Sequence, residues 1–208
     1  MNKKIDNYYL TQLALLIAIE LVMKAIGLGS VPVGPLYMSF LTVPIAVGAI
    51  MLGPAAGAVL GGVFGAVSFY DALAGRSVMT GALFQVSPIN TFILCVVTRV
   101  LMGLLVGYVY RAVSRADHKG FVSTLIGSLS APLLNTFFFM GYICLVFWHT
   151  DYVQSLASSL HAVNPLMFVV LLVGVQGLIE AVTCGVVGTV ICKALHTAFG
   201  FRHAPARS

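Results

Sequence analysis

The stretch GPAAGAVLGGVFG, Gly53 to Gly65, puts glycine at Gly53, Gly57, Gly61 and Gly65. Positions four apart share one face of a helix, so these residues form a bare stripe. In water each such glycine would cost about 1 kcal/mol against alanine. In a bilayer the stripe lets a neighbouring backbone approach closely, and van der Waals packing takes over from the missing hydrophobic drive. Which solvent applies is settled by the rest of the chain. Its 208 residues are 60% hydrophobic and only 8% charged, with a mean hydropathy of +1.03. A soluble domain carries about 25% charged residues, so this is an integral membrane protein.

About 20 apolar residues cross the hydrocarbon as a helix. Runs such as FILCVVTRVLMGLLVGYVY do not alternate in polarity as barrel strands would. The sequence therefore predicts an all-α membrane protein, a six-transmembrane-helix bundle forming a single integral membrane domain over residues 1–208. Residues 1–9 form a tail, the bundle occupies about 10–195, and 196–208 form a second tail. The spans are read at about Leu10–Gly27, Leu36–Leu52, a third ending near Tyr70, Thr91–Tyr110, Phe121–Phe147 and Pro165–Leu195. Pro44 is expected to bend the second, and Gly53-Pro54 to make the turn into the third. Gly27–Pro35 and Asp71–Asn90 read as loops, and Trp148–Asn164 as a loop able to hold a short interfacial helix.

With six spans, Lys3, Lys4, Arg111, Arg115, Lys119, Lys193, Arg202 and Arg207 share one side, and only Arg76 lies opposite. The positive-inside rule makes both termini cytoplasmic. The formal charge of +5 is thus a topology signal and not a nucleic-acid patch. Cys95, Cys144, Cys184 and Cys192 lie in apolar runs without metal spacing and read as small buried hydrophobes.

Ionisable residues inside spans mark function or internal pairing. Glu20 and Lys24, four apart, can neutralise each other on one helix face. Arg99 has no partner in its own span. It needs either a protein carboxylate, for which Glu180 is the obvious candidate, or an anionic ligand. Asn135 follows Pro132 and can offer a donor and an acceptor to a ligand or a neighbouring helix. Asn90, Gln85, Tyr37, Asn164 and Gln176, with Trp148, can line a pocket beneath the outer loops. No hydrolase elbow, zinc-protease motif or P-loop is present, and no catalytic residue, cofactor or metal is assigned. His149, Asp151 and His161 on one loop make a weak metal pattern, the basis of a rival reading as a membrane enzyme. A second rival, a self-sufficient secondary transporter or channel, would use Glu20, Lys24, Arg99 and Glu180 as an ion relay, but no inverted repeat is evident.

Several segments taken in order resemble a known family. Ala14-Leu-Leu-Ile-Ala18 is similar to its AxxxA first-helix face, and LTVPIAVGAIMLGPAAGAVLGGVFGAVSFYD to its second and third helices. TRVLMGLLVGYVY is similar to a PRxLxGLxxGxxY pattern, with Thr98 where proline is common, and LLNTFFF to an Asn-Thr pair. The family is the substrate-binding S components of energy-coupling factor (ECF) vitamin transporters, the Arg and Asn-Thr patterns most resembling pantothenate-type members. The resemblance implies a prokaryotic plasma-membrane protein that binds a vitamin and docks on a transmembrane coupling protein driven by two ATPase subunits. It makes Ala14 and Ala18 the docking notch and pantothenate the substrate, with riboflavin, folate or a similar vitamin as the alternative.

Overall fold

The computed structural model describes residues 7–29, 31–33, 36–117 and 120–199, with backbone alone for 32, 33, 36–38 and 199. Lys3, Lys4, Lys119, Arg202 and Arg207 lie outside these residues, as does the side chain of Tyr37.

The chain forms α1 (Asn7–Ala25), a hairpin of β1 (Val31–Val33) and β2 (Leu36–Met38), α2 (Thr42–Met51), α3 (Pro54–Leu73) and α4 (Val78–Val86). Next comes one long rod: α5 (Pro88–Phe92), a π-helical turn (Ile93–Val97) and α6 (Thr98–Ser114). Then α7 (Phe121–Tyr142) runs into a second π-helical turn (Ile143–Phe147), followed by α8 (Asp151–Ser159) and α9 (Pro165–Phe199). Among the described residues, five helical rods are long and apolar enough to cross a membrane. The protein is a helical membrane bundle.

Three expectations are corrected. The second span is not a helix from Leu36. It is β2, paired antiparallel with β1 through Val31–Met38, Pro32–Tyr37 and Val33–Leu36, and then a helix of only 10 residues. Pro44 falls in the first turn of α2, where a missing N–H breaks no intrahelical bond, so it does not bend the helix. α2 touches α3, α6, α7 and α9 and is buried from Thr42 to Ile50, which makes it the centre of the bundle. The Asp71–Asn90 loop is largely helical. α4 buries Met79, Thr80 and Leu83 on one face, and the next helix starts at Pro88 with the Asn90 N–H donating to Ser87 Oγ. The third correction concerns Glu20 and Lys24, which do not pair: Lys24 Nζ bonds Asp71 Oδ2 on α3. Glu20, the one buried residue of α1, has no hydrogen-bond partner among the described residues.

The glycine stripe sets the closest contact in the molecule. A Cβ on Gly57 would run into the Gly103 carbonyl of α6, one on Gly61 into the Arg99 carbonyl, and one on Gly65 would lie 2.6 Å from the Cys95 carbonyl oxygen. Gly107 returns the contact, 2.5 Å from Pro54 Cα on the same measure. The two helices thus meet backbone to backbone along about three turns. Gly53 has a different task. Its φ of 100° is a left-handed conformation that glycine adopts without strain, and it turns the chain from α2 into α3.

Candidate functional site

Seating Arg99 against Gly61 fixes where its side chain can go. The helix α3 that receives its backbone also carries Phe64, and the Arg99 Cζ lies 4.3 Å from that ring's centroid. It also lies 4.8 Å from the centroid of Phe139, on α7. Both are within the reach of a cation–π attraction. Nη1 donates to the Cys95 carbonyl at 3.0 Å. Only 6% of the residue is exposed. No carboxylate is within ion-pair distance of it among the described residues, and Nε is buried without a hydrogen-bond partner. A guanidinium removed from water costs several kcal/mol unless it is paired, so two rings and one carbonyl leave Arg99 under-compensated.

The π turn just before it contributes to this geometry. There the Thr98 N–H reaches back five residues to the Ile93 carbonyl. The carbonyl it passes over, Leu94, accepts the hydroxyl of Thr98 instead. Threonine at this position therefore supplies two donors where a proline would supply none.

Arg99 lines a cavity of about 340 Å³ near the α4 end of the bundle. On α3 the lining residues Phe64, Val67, Ser68 and Asp71 follow the spacing of one helix face, beside the glycine stripe. Asn135, Thr136 and Phe139 come from α7, and Gln176 and Glu180 from α9. Lys24, Arg76 and Arg99 against Asp71 and Glu180 leave the lining one positive charge in excess. The Lys24–Asp71 pair is only part-buried and ties α1 to α3 across one side of the cavity. Glu180 is engaged as well: its Oε1 accepts from the Ser39 N–H at 2.7 Å, joining α9 to the entry of α2. It does not form an ion pair with Arg99. Two further buried polar atoms in the lining, Asn135 Oδ1 and Thr80 Oγ1, have no partner among the described residues.

The structure thus brings together Arg99, Asn135, Gln176 and Glu180 of the sequence-predicted set, while Asn164 instead accepts from the Met167 N–H at the start of α9. Three others point elsewhere. Gln85 is exposed on α4, Asn90 accepts from the Tyr142 hydroxyl at 3.1 Å, and Trp148 packs edge-on against Phe168. Among the described residues no three His, Cys, Asp or Glu side chains are grouped to hold a metal. A second, larger hollow of about 880 Å³ lies between α7 and α9, lined almost wholly by apolar side chains such as Leu133, Phe137 and Val170. Those three are exposed, so it is a sideways-opening seam and offers no charge to a polar ligand.

Ala14 and Ala18 are both exposed, on the face of α1 turned away from the bundle.

The sequence matches the family described as ECF transporter, substrate-specific component, over residues 8–192. No curated protein sequence matches it significantly. Among solved structures it is similar to ThiT from Listeria monocytogenes, with a TM-score of 0.63 at 16% identity, over 92% of this chain and 97% of that one. At that identity the likeness is one of fold. The family match spans most of the chain, and the chain belongs to the family of substrate-specific components of ECF transporters, which are transport proteins and not enzymes.

Proposed function

We propose that this S component captures pantothenate and delivers it to an ECF-type importer. The observation that carries the reading is Arg99, buried in the cavity wall with Nε unpartnered and no carboxylate within ion-pair distance among the described residues. A small carboxylate ligand supplies the missing charge through charge-assisted hydrogen bonds, the strong kind in a low-dielectric site. The excess positive charge of the lining favours the same sign. Asn135 Oδ1 and Thr80 Oγ1 then receive the hydroxyl and amide donors of pantothenate, which relieves two buried polar atoms. Glu180 lines the wall and braces it through Ser39.

The charge pattern of the sequence supports cytoplasmic termini with the cavity toward the outside, and the family supports a single domain over 1–208 in a prokaryotic plasma membrane. Docking on the transmembrane coupling protein, and through it on two ATPase subunits, uses Ala14 and Ala18, whose small side chains sit on an exposed helix face.

Equilibrium binding on the purified protein tests the substrate, alongside mass spectrometry of whatever small molecule co-purifies. Saturable, tight pantothenate binding is expected. Absence of it, with tight binding of riboflavin, folate or another vitamin, would reject pantothenate and keep the S-component role.

A further inference from the structure

The surroundings of the Arg99 guanidinium differ by direction. Nη1 donates one of its two N–H groups to the Cys95 carbonyl. Phe64 and Phe139 present ring faces to Cζ from α3 and α7, two of the helices packed on α6. Nε and Nη2 make no hydrogen bond among the described residues. Four of the five guanidinium N–H donors therefore make no bond among the described residues, while the two rings stand over Cζ.

We infer that Phe64 and Phe139 are specificity-determining positioning residues that cover Cζ of Arg99 and leave the ligand its in-plane N–H groups, so that the site selects a planar carboxylate over a tetrahedral oxyanion. This rests on the reading of Arg99 as the partner of an anionic substrate. The two oxygens of a carboxylate lie in the plane of two adjacent guanidinium N–H groups and bond both. A sulfonate bonded in the same way carries a third oxygen out of that plane. Aromatic faces are the negative side of the ring quadrupole. The same property that holds the guanidinium therefore repels the extra oxygen.

Two measurements test this. The first needs no ligand: in protein labelled with nitrogen-15 arginine, exchange between the two Nη sites reports rotation about the Arg99 Nε–Cζ bond. Exchange is slow in the wild type and faster in Phe64→Leu and Phe139→Leu. The second compares pantothenate with the analogue whose carboxylate is replaced by sulfonate. The wild type prefers the carboxylate by about 30-fold, and Phe139→Leu reduces that to about threefold, the lost tenfold being about 1.4 kcal/mol. Phe137→Leu, on the same helix but 69% exposed, leaves the ratio unchanged. Equal wild-type affinity for the two anions overturns the selectivity while pantothenate stands. Unchanged exchange in both phenylalanine variants overturns the positioning. If the protein binds neither anion but another vitamin, the pantothenate reading fails, and the ligand-free exchange rates still decide the positioning in the same two directions.

Discussion

The α3–α6 seam and the helix α1 are both apolar membrane helices, yet they are held in opposite ways. Along the seam, glycines remove the side chains and the two backbones touch directly. Leu13, Leu16, Ile17 and Met23 of α1 lean on the core half-buried, while Leu15, Val22 and Ile26 stay exposed. Its polar tie to the body of the protein is the Lys24–Asp71 pair near its end. Direct backbone contact gives a fixed geometry, and that is where Arg99 is mounted. Loose side-chain contact leaves a face open, and that is where Ala14 and Ala18 lie. The buried arginine and the exposed alanines thus lie in regions that differ in how tightly they are packed.

Breaking the seam should have the largest effect. Gly61→Leu drives a side chain into the Arg99 backbone, which has no rotamer by which to yield, and folded protein should be lost, as read by size-exclusion chromatography and thermal melting. A well-folded, ligand-binding Gly61→Leu protein that fails only to assemble would move the docking surface onto the seam. Next comes the residue the seam positions. Arg99→Ala should keep the fold and weaken substrate binding by about 30-fold or more, because truncating one partner of a buried charge pair costs about 2–5 kcal/mol. An unchanged affinity, measured by calorimetry, would remove Arg99 from the site.

On α1 the effects are smaller and of different sign. Glu20→Met keeps the side-chain volume and removes a buried carboxyl without a partner, so the protein should gain about 1 kcal/mol against denaturation. A loss of stability instead would mean that Glu20 has a partner in the membrane. The double change Ala14→Leu with Ala18→Leu should leave stability within about 0.5 kcal/mol and substrate affinity untouched, being on an exposed face. Its effect should appear only when the coupling protein and ATPases are co-expressed, as loss of the co-purified complex. Retention of that complex would send the docking face elsewhere.

Much of this contrast was legible in the sequence. Glycines spaced by four announce a close-packed face, and an arginine in an apolar run demands a partner wherever it sits. Glu180 and Asn135 were found by the same polarity signal, though the engagement of Glu180 by a backbone N–H in another segment could not be read locally. Phe64 and Phe139 were missed because a phenylalanine that flanks a guanidinium looks, in sequence, like Phe137, which faces outward. The Lys24–Asp71 pair was hidden by separation: a local rule offered Glu20 four residues away, while the actual partner is 47 residues on. A signal existed, since Phe64, Val67, Ser68 and Asp71 share a helical face beside the glycines. Gln85 was misplaced because α4, read as loop, is a helix that leaves it exposed.

The π turn at Ile93–Val97 carries a last consequence, for how such a rod can change. One residue in an α-helix corresponds to about 100° of rotation. Deleting a single residue there would leave Thr98–Ser114 seated on its glycine partners and swing Pro88–Phe92 to a new azimuth. Asn90 would leave the Tyr142 hydroxyl and Phe92 would leave the Phe69 ring, 5.3 Å away, while Arg99 kept its place. A one-residue change of phase can therefore redraw the rim of the protein independently of the cavity it surrounds.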